Sequence, residues 1–156
     1  MELRVVEGDL LRQPVEVIVN SWNRNFIPHW LLIPVGVSGA IRRQAGSQPF
    51  REVRKHGLLP VGAAVLTGAG RLPYKGIIHV AGLNWWWTAN RRSVELSVRN
   101  ALRVFQEHGF ASLAFPLIGA GTGGMSQQQV EELMASEIQS QSGPGQVLLV
   151  RYRKKT

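Results

Sequence analysis

The run Gly119-Ala120-Gly121-Thr122-Gly123-Gly124 stands between the apolar stretch Leu113 to Ile118 and a helical pattern that begins near Ser126. A glycine loop there gathers backbone N–H groups at a helix N-terminus, an arrangement that holds phosphate without a lysine. The run fits GxGxxG in form. A dinucleotide-binding unit, however, carries that fingerprint at its first strand-to-helix turn, with an acidic residue about 20 positions later. Only 32 residues follow Gly124, so that reading fails on position. No Lys-Ser or Lys-Thr pair follows the glycines, which removes the P-loop NTPases. The plainer alternative is a tight turn that only glycine allows. A second loop, Val35-Gly36-Val37-Ser38-Gly39-Ala40, also leads into a helical pattern. Two such cradles can face each other across one diphosphate.

Polar side chains accompany these loops. Asp9 follows the first strand pattern, Asn20 ends the second and Asn23 comes directly after it. An Asp oxygen accepts from an exocyclic amine and so distinguishes adenine from keto bases. Each of the three also has a local reading, Asp9 as a turn or helix cap and the asparagines as loop-stabilising side chains. The loops after Val6, Asn20 and Ile118 all leave strand C-termini, where open α/β sheets bind ligands. Asp9, Asn20, Asn23 and both glycine loops are therefore expected on one rim.

The elements that must position them follow from periodicity. Leu3 and Val5, then Val15, Val17 and Val19, mark two short strands, and Ala63 to Thr67 and Gly76 to Val80 mark two more. Leu113 to Ile118 and Val147 to Tyr152 complete the set. Ser38 is expected to cap a helix that carries Ile41 and Ala45 and stops at Gly46; Gln48 to His56 reads as another helix. Val94, Val98, Ala101, Leu102 and Phe105 give a long helix from Arg91 to His108, and a fourth runs from about Ser126 to Ile138. Strands alternating with helices imply an α/β layered sandwich with a largely parallel sheet. Two loops resist assignment: Arg24 to Pro34, with Phe26, His29 and Trp30, and the aromatic run Trp85-Trp86-Trp87. The tryptophans suit either stacking on a base or burial against the long helix. His56 and His108 fall at helix ends and His79 in a strand, where structural roles are expected.

The chain of 156 residues is 44% apolar and 18% charged, the composition of one globular domain. We expect it to span 1–153, with a basic tail at 154–156. No stretch reaches the roughly 18 consecutive apolar residues of a membrane helix. Without cysteine there is no disulfide framework, thiol nucleophile or thiolate zinc site, and a reducing, cytoplasmic location is expected. No metal or cofactor is expected. Eighteen Lys and Arg against ten Asp and Glu leave +8, which selects anionic partners as a class.

Five segments taken in order, Gly8-Asp9-Leu10, Val15 through Asn23, Gly36-Val37-Ser38-Gly39-Ala40-Ile41, Gly76-Ile77-Ile78-His79 and Ala114 through Gly121, resemble the macrodomain family. The resemblance covers about residues 1 to 150. It implies a three-layer α/β/α sandwich with a mixed, largely parallel central sheet, and an ADP-ribose cleft at the strand ends. By this resemblance Asp9 receives the adenine amino group beside the Leu10 amide. Gly36 and Val37, with Ser38, form the first diphosphate loop; Gly119, Ala120, Gly121, Thr122, Gly123 and Gly124, closed by Met125, form the second. Asn23 matches the final asparagine of the family's Asn-Ala-Ala-Asn motif, which faces the distal ribose, and Asn20 is a further ligand-binding candidate.

The sequence departs from hydrolytic members of the MacroD type, in which an Asp near the first loop orients the attacking water. Ser38 holds that position, and a lone hydroxyl lacks the basicity for the task near neutral pH. The loop between Asn23 and Gly36, several residues longer than the connection usual in the family it resembles, supplies His29 as a replacement base, set against the reading of a loop histidine without a role. Candidate catalytic residues are therefore Asn23, Ser38 and His29. The partner is ADP-ribose or an ADP-ribosylated macromolecule. Hydrolysis of the adduct and non-catalytic reading of it both remain open. A nucleic-acid module using the basic surface is the further alternative, disfavoured because aromatic and basic residues do not alternate along a predicted sheet face.

Overall fold

A computed structural model of the protein describes residues 1–22, 36–82, 90–120 and 125–153. The strands are β1 (Glu2–Gly8), β2 (Val17–Ser21), β3 (Ala64–Thr67), β4 (Gly76–Val80), β5 (Ser112–Pro116) and β6 (Gln146–Tyr152). The helices are α1 (Gly36–Ala45), α2 (Gln48–Arg54), α3 (Arg91–Glu107) and α4 (Gln127–Ser140). The strands form one sheet in the order β1-β6-β5-β2-β4-β3, parallel throughout except for β3 against β4.

Side-chain alternation sorts the central strands onto two cores. Val17, Val19, Ile78, Val80, Leu113, Phe115, Val147 and Leu149 face α3 and α4. Ile18, Ile77, Ala114 and Val150 face α1 and α2, where they meet Ile41, Ala45, Phe50 and Val53. Helices cover both faces, so the fold is the expected three-layer α/β/α sandwich. This two-sided burial explains why β2, β4 and β5 read as largely apolar, buried runs while β1 alternates.

Several boundaries differ from expectation. The first two strands, consecutive in sequence, are apart in the sheet: alternating, half-exposed β1 lies at the edge on β6, and buried β2 lies inside between β5 and β4. Helix α1 begins at Gly36, so Ser38 lies within its first turn and is not its cap. Strand β5 ends at Pro116, because Leu117 to Ala120 turn through Gly119 at φ +84°. Helix α2 stops at Arg54, short of His56.

Candidate functional site

The sheet topology opens a crevice before any residue type is considered. Parallel neighbours β2 and β5 send their following helices to opposite faces, α1 to one and α4 to the other. Connections that diverge in this way leave a gap outside the strand C-termini, the usual ligand site of an open α/β sheet. The ends of β2, β4 and β5 crowd together at its floor. A Cβ on Gly82 would lie 2.8 Å from Ile118 Cγ2 and 3.3 Å from Ser21 Oγ, so only glycine lets the three ends approach so closely.

Asp9 stands at the C-terminus of β1. Its Oδ1 accepts from the Leu11 amide at 2.9 Å, capping a single 3-10 turn, Leu10–Arg12, in keeping with its reading as a turn or helix cap. Its Oδ2 lies 3.7 Å from Arg12 Nε at the surface. Leu10 and Leu11 anchor the turn by burial, and it packs against β5. The Tyr74 hydroxyl lies 3.3 Å from the Leu10 carbonyl and 3.2 Å from that of Gln13, pinning the turn from the β3–β4 connection. Burial raises the Tyr74 phenol; the Gln13 carbonyl works against that and the Asp9 charge with it. Asp9 thus keeps one oxygen for structure and presents the other at the rim.

Asn20 is not on the rim: its side chain is wholly buried on the α1/α2 side of the sheet. Its Nδ2 donates to His79 Nδ1 at 3.1 Å across the β2–β4 register. That leaves the proton of a neutral imidazole on Nε2, which faces Thr67 Oγ1 at 2.9 Å; the Thr67 hydroxyl donates in turn to the Gly68 carbonyl at 2.9 Å. The Gly68 amide then reaches Glu52 Oε2 at 3.0 Å. This chain ties β2, β4, β3 and α2 together beneath the site. Burial pushes His79 down to about 3, so it is a neutral structural link at ordinary pH. Asn20 Oδ1 and Ser21 Oγ are buried where β2 ends, without a hydrogen-bond partner among the described residues.

The two phosphate-loop candidates meet different helix starts. Gly36, Val37 and Ser38 form the first turn of α1, which holds no acidic residue, so the positive end of the helix is not neutralised from within. Val37 packs against the α1/α2 core, which holds its backbone in place. On the other side Gly119 and Ala120 turn away from β5, and Met125 precedes Ser126, the N-cap of α4. Ser126 and Gln129 form a reciprocal capping box, at 3.2 Å and 3.1 Å. Among the described residues no group of three or more His, Asp or Glu is placed to hold a metal ion, and no helix is long and apolar enough to cross a membrane.

A family model described as Macro domain matches residues 19–134, from β2 into α4. The chain belongs to the macro domain family. A protein named O-acetyl-ADP-ribose deacetylase, from Citrobacter rodentium, is 32% identical to this macro domain over 99% of the chain and 90% of its own length. Among solved structures, a mutant Oceanobacillus iheyensis macrodomain with ADPR superposes with TM-score 0.81 at 30% identity, covering 95% of this chain and 83% of that one. The same macrodomain with ADP gives TM-score 0.83 at 27% identity, covering 97% and 84%.

In this macro domain the described residues of the expected site take these places along the chain: Asp9 and Leu10 after β1, Gly36 to Ser38 opening α1, Gly119 and Ala120 after β5, and Met125 before α4, while Asn20 is buried within β2. Asn23, His29 and Gly121 to Gly124 lie outside the described residues, as do Trp85 to Trp87 and the tail at 154–156. Sequence reasoning missed Tyr74, Gly82 and the Asn20–His79–Thr67 chain. The alternation that sets Asn20 and His79 on the same face as Ile18 and Ile77 was the one signal available for the last.

Proposed function

We propose that this macro domain binds ADP-ribose in the crevice between the ends of β1, β5 and β2, and hydrolyses small ADP-ribosyl adducts of the O-acetyl-ADP-ribose kind. The observation that carries the reading is the divergence of α1 and α4 from adjacent parallel strands, with a glycine-bearing turn at each. It occurs in a chain 32% identical, nearly end to end, to a protein named for deacetylating O-acetyl-ADP-ribose. The outer Asp9 oxygen receives the adenine amino group, with the Leu10 amide beside it. The first-turn amides of α1 at Gly36 and Val37 face the loop Gly119 to Gly124, with Met125, across the diphosphate. Asn23 addresses the distal ribose and places water; Ser38 adds a hydrogen bond and moves no proton. Asn20, buried, supports the strand end that carries Asn23.

Calorimetric titration with ADP-ribose, followed by release of acetate from O-acetyl-ADP-ribose, tests the reading. Wild type binds and turns over, Asn23→Ala loses tenfold or more in turnover, and Ser38→Ala stays within a few-fold. A wild type that does not bind ADP-ribose refutes the proposal. Ser38 in place of a carboxylate favours a second reading, a non-catalytic reader, which shows tight binding and no release. If His29 is the base, His29→Ala lowers turnover by about 10² with affinity intact, and the wild-type rate falls as pH drops through the imidazole range.

A further inference from the structure

The net charge of this macro domain is not spread over its surface. Between Glu16 and Glu95 the sequence has ten cations and one carboxylate, Glu52. That carboxylate is turned to other work: Oε2 accepts from the Gly68 amide at 3.0 Å and Oε1 from the Gln48 side chain at 3.1 Å. On the opposite layer most cations are answered by carboxylates, as in Arg91–Glu95, Arg99–Glu137, Arg103–Glu107 and Arg151 with Glu7 and Glu131, with Arg92 the exception among the described residues of α3. Among the described residues Arg42, Arg43, Arg51, Lys55 and Arg71 make no such pair, and all five lie on α1, α2 and the β3–β4 connection.

Contacts tie the elements of this face together, and Lys55 follows Arg51 by one helical turn at the end of α2. Arg71 Nη2 reaches the Arg43 carbonyl at 3.5 Å, and Arg51 donates to Ser47 Oγ in the short link between α1 and α2. The Arg42 guanidinium lies 5.8 Å above the Phe50 ring, and that of Arg54 lies 5.5 Å from the Trp22 ring. Arg54 is held below the usual arginine range by burial and then by the charge of Arg42, an electrostatic sign of their closeness. The two aromatics of this face, Trp22 and Phe50, are buried beneath the guanidiniums. A protein interface needs apolar or aromatic anchors at its centre. This face offers guanidiniums instead, whose planar forks match phosphate oxygens.

The face shares its layer with the crevice. It begins in the last turn of α1, about 9 Å along the helix from the Gly36 end at 1.5 Å per residue. Trp22, under Arg54, directly precedes Asn23.

We propose that the macromolecule presenting the ADP-ribosyl group to this domain is a nucleic acid, whose phosphates dock on the arginine face of α1, α2 and the β3–β4 connection. The proposal rests on the ADP-ribose reading above. Because the aromatics are covered, the contact is to backbone phosphate and carries no base sequence preference. Docking and crevice together act as a bivalent site, so a modified strand binds more tightly than either part alone.

Fluorescence anisotropy with a labelled single-stranded oligonucleotide, bare and carrying one terminal ADP-ribose, tests this on the full chain. For five phosphate contacts the affinity for bare strand falls with salt at a log–log slope of about −3.5. The variant Arg43→Glu/Arg51→Glu/Lys55→Glu flattens that slope to about −1.4 and weakens bare-strand binding by tenfold or more. It brings the modified strand down to the affinity of free ADP-ribose, while calorimetry with free ADP-ribose is unchanged. The milder Arg43→Gln/Arg51→Gln/Lys55→Gln gives the same order of effects should the charge reversal fold poorly. Wild-type affinity for the modified strand in either folded variant overturns the proposal. So does displacement of the strand by polyglutamate as effective as by unlabelled strand at equal charge, which assigns the face to acidic protein. Failure of the underlying reading shows separately, as absence of ADP-ribose binding in calorimetry with no oligonucleotide present.

Discussion

Asp9 shows how one side chain serves both the fold and the ligand. With Oδ1 committed to the Leu11 amide, only Oδ2 is available to an adenine amine. Asp9→Ala therefore removes a cap and a charge-assisted acceptor together, and ADP-ribose affinity should fall by about 1.5–3 kcal/mol, roughly tenfold to a hundredfold, with a small loss of stability. Asp9→Asn separates the two effects, since an amide oxygen still caps the turn while the charge is gone. Calorimetry should find it intermediate in affinity and near wild type in thermal midpoint. Equal affinity in all three proteins would remove Asp9 from the site. Aspartate after a strand was legible in the sequence because Gly8-Asp9-Leu10 is local. Tyr74 was not, because its contact with Leu10 spans 64 residues and leaves no periodic trace.

At the level of elements, periodicity located the six strands and four α-helices of the described residues, and it failed at their ends. Residue type marks Ser38 as a cap, yet the turn at Gly36 to Ser38 is already helical, which moves the free amides toward Gly36 and leaves Ser38 inside the first turn. Sheet order was beyond local reasoning. The exposure of β1 and the burial of β2 set it, and both depend on which faces the helices cover. The crevice itself depends on the close meeting of β2, β4 and β5 at Gly82. Gly82→Ala places a methyl 2.8 Å from Ile118 Cγ2, tighter than packed atoms tolerate. We expect a loss of about 1–3 kcal/mol in denaturant unfolding, the range for overpacking a filled core. ADP-ribose affinity should weaken as well, because Ile118 adjoins Gly119 of the second phosphate loop. A Gly82→Ala protein of unchanged stability would show that the strand ends yield more easily than their spacing suggests.

For the molecule as a whole, the buried His79 makes stability depend on pH well above the carboxylate range. In the folded protein the imidazole stays neutral down to about 3, whereas an unfolded chain takes up the proton near the ordinary value of 6.5. Below that ordinary value the unfolded state binds one more proton than the native state, so stability falls with acidification. The slope approaches about 1.4 kcal/mol per pH unit until the folded group itself titrates. Above neutrality the contribution is fully present and flat. Glu16, held low by its hydrogen bond from Lys75 and by the Ala111 amide, and Glu131, held low by Arg151, add to the loss only as pH drops below about 4.5. The interval from 6 to 5 therefore belongs to the core histidine. Urea unfolding across it should show the wild type losing stability steadily, and His79→Gln, which keeps hydrogen-bonding capacity without titrating, should be nearly flat there while still declining in stronger acid. A parallel decline of both proteins between pH 6 and 5 would mean that the chain from Asn20 through Thr67 to Gly68 admits a charged imidazole, and that the layer beneath the crevice is more polar than its burial implies.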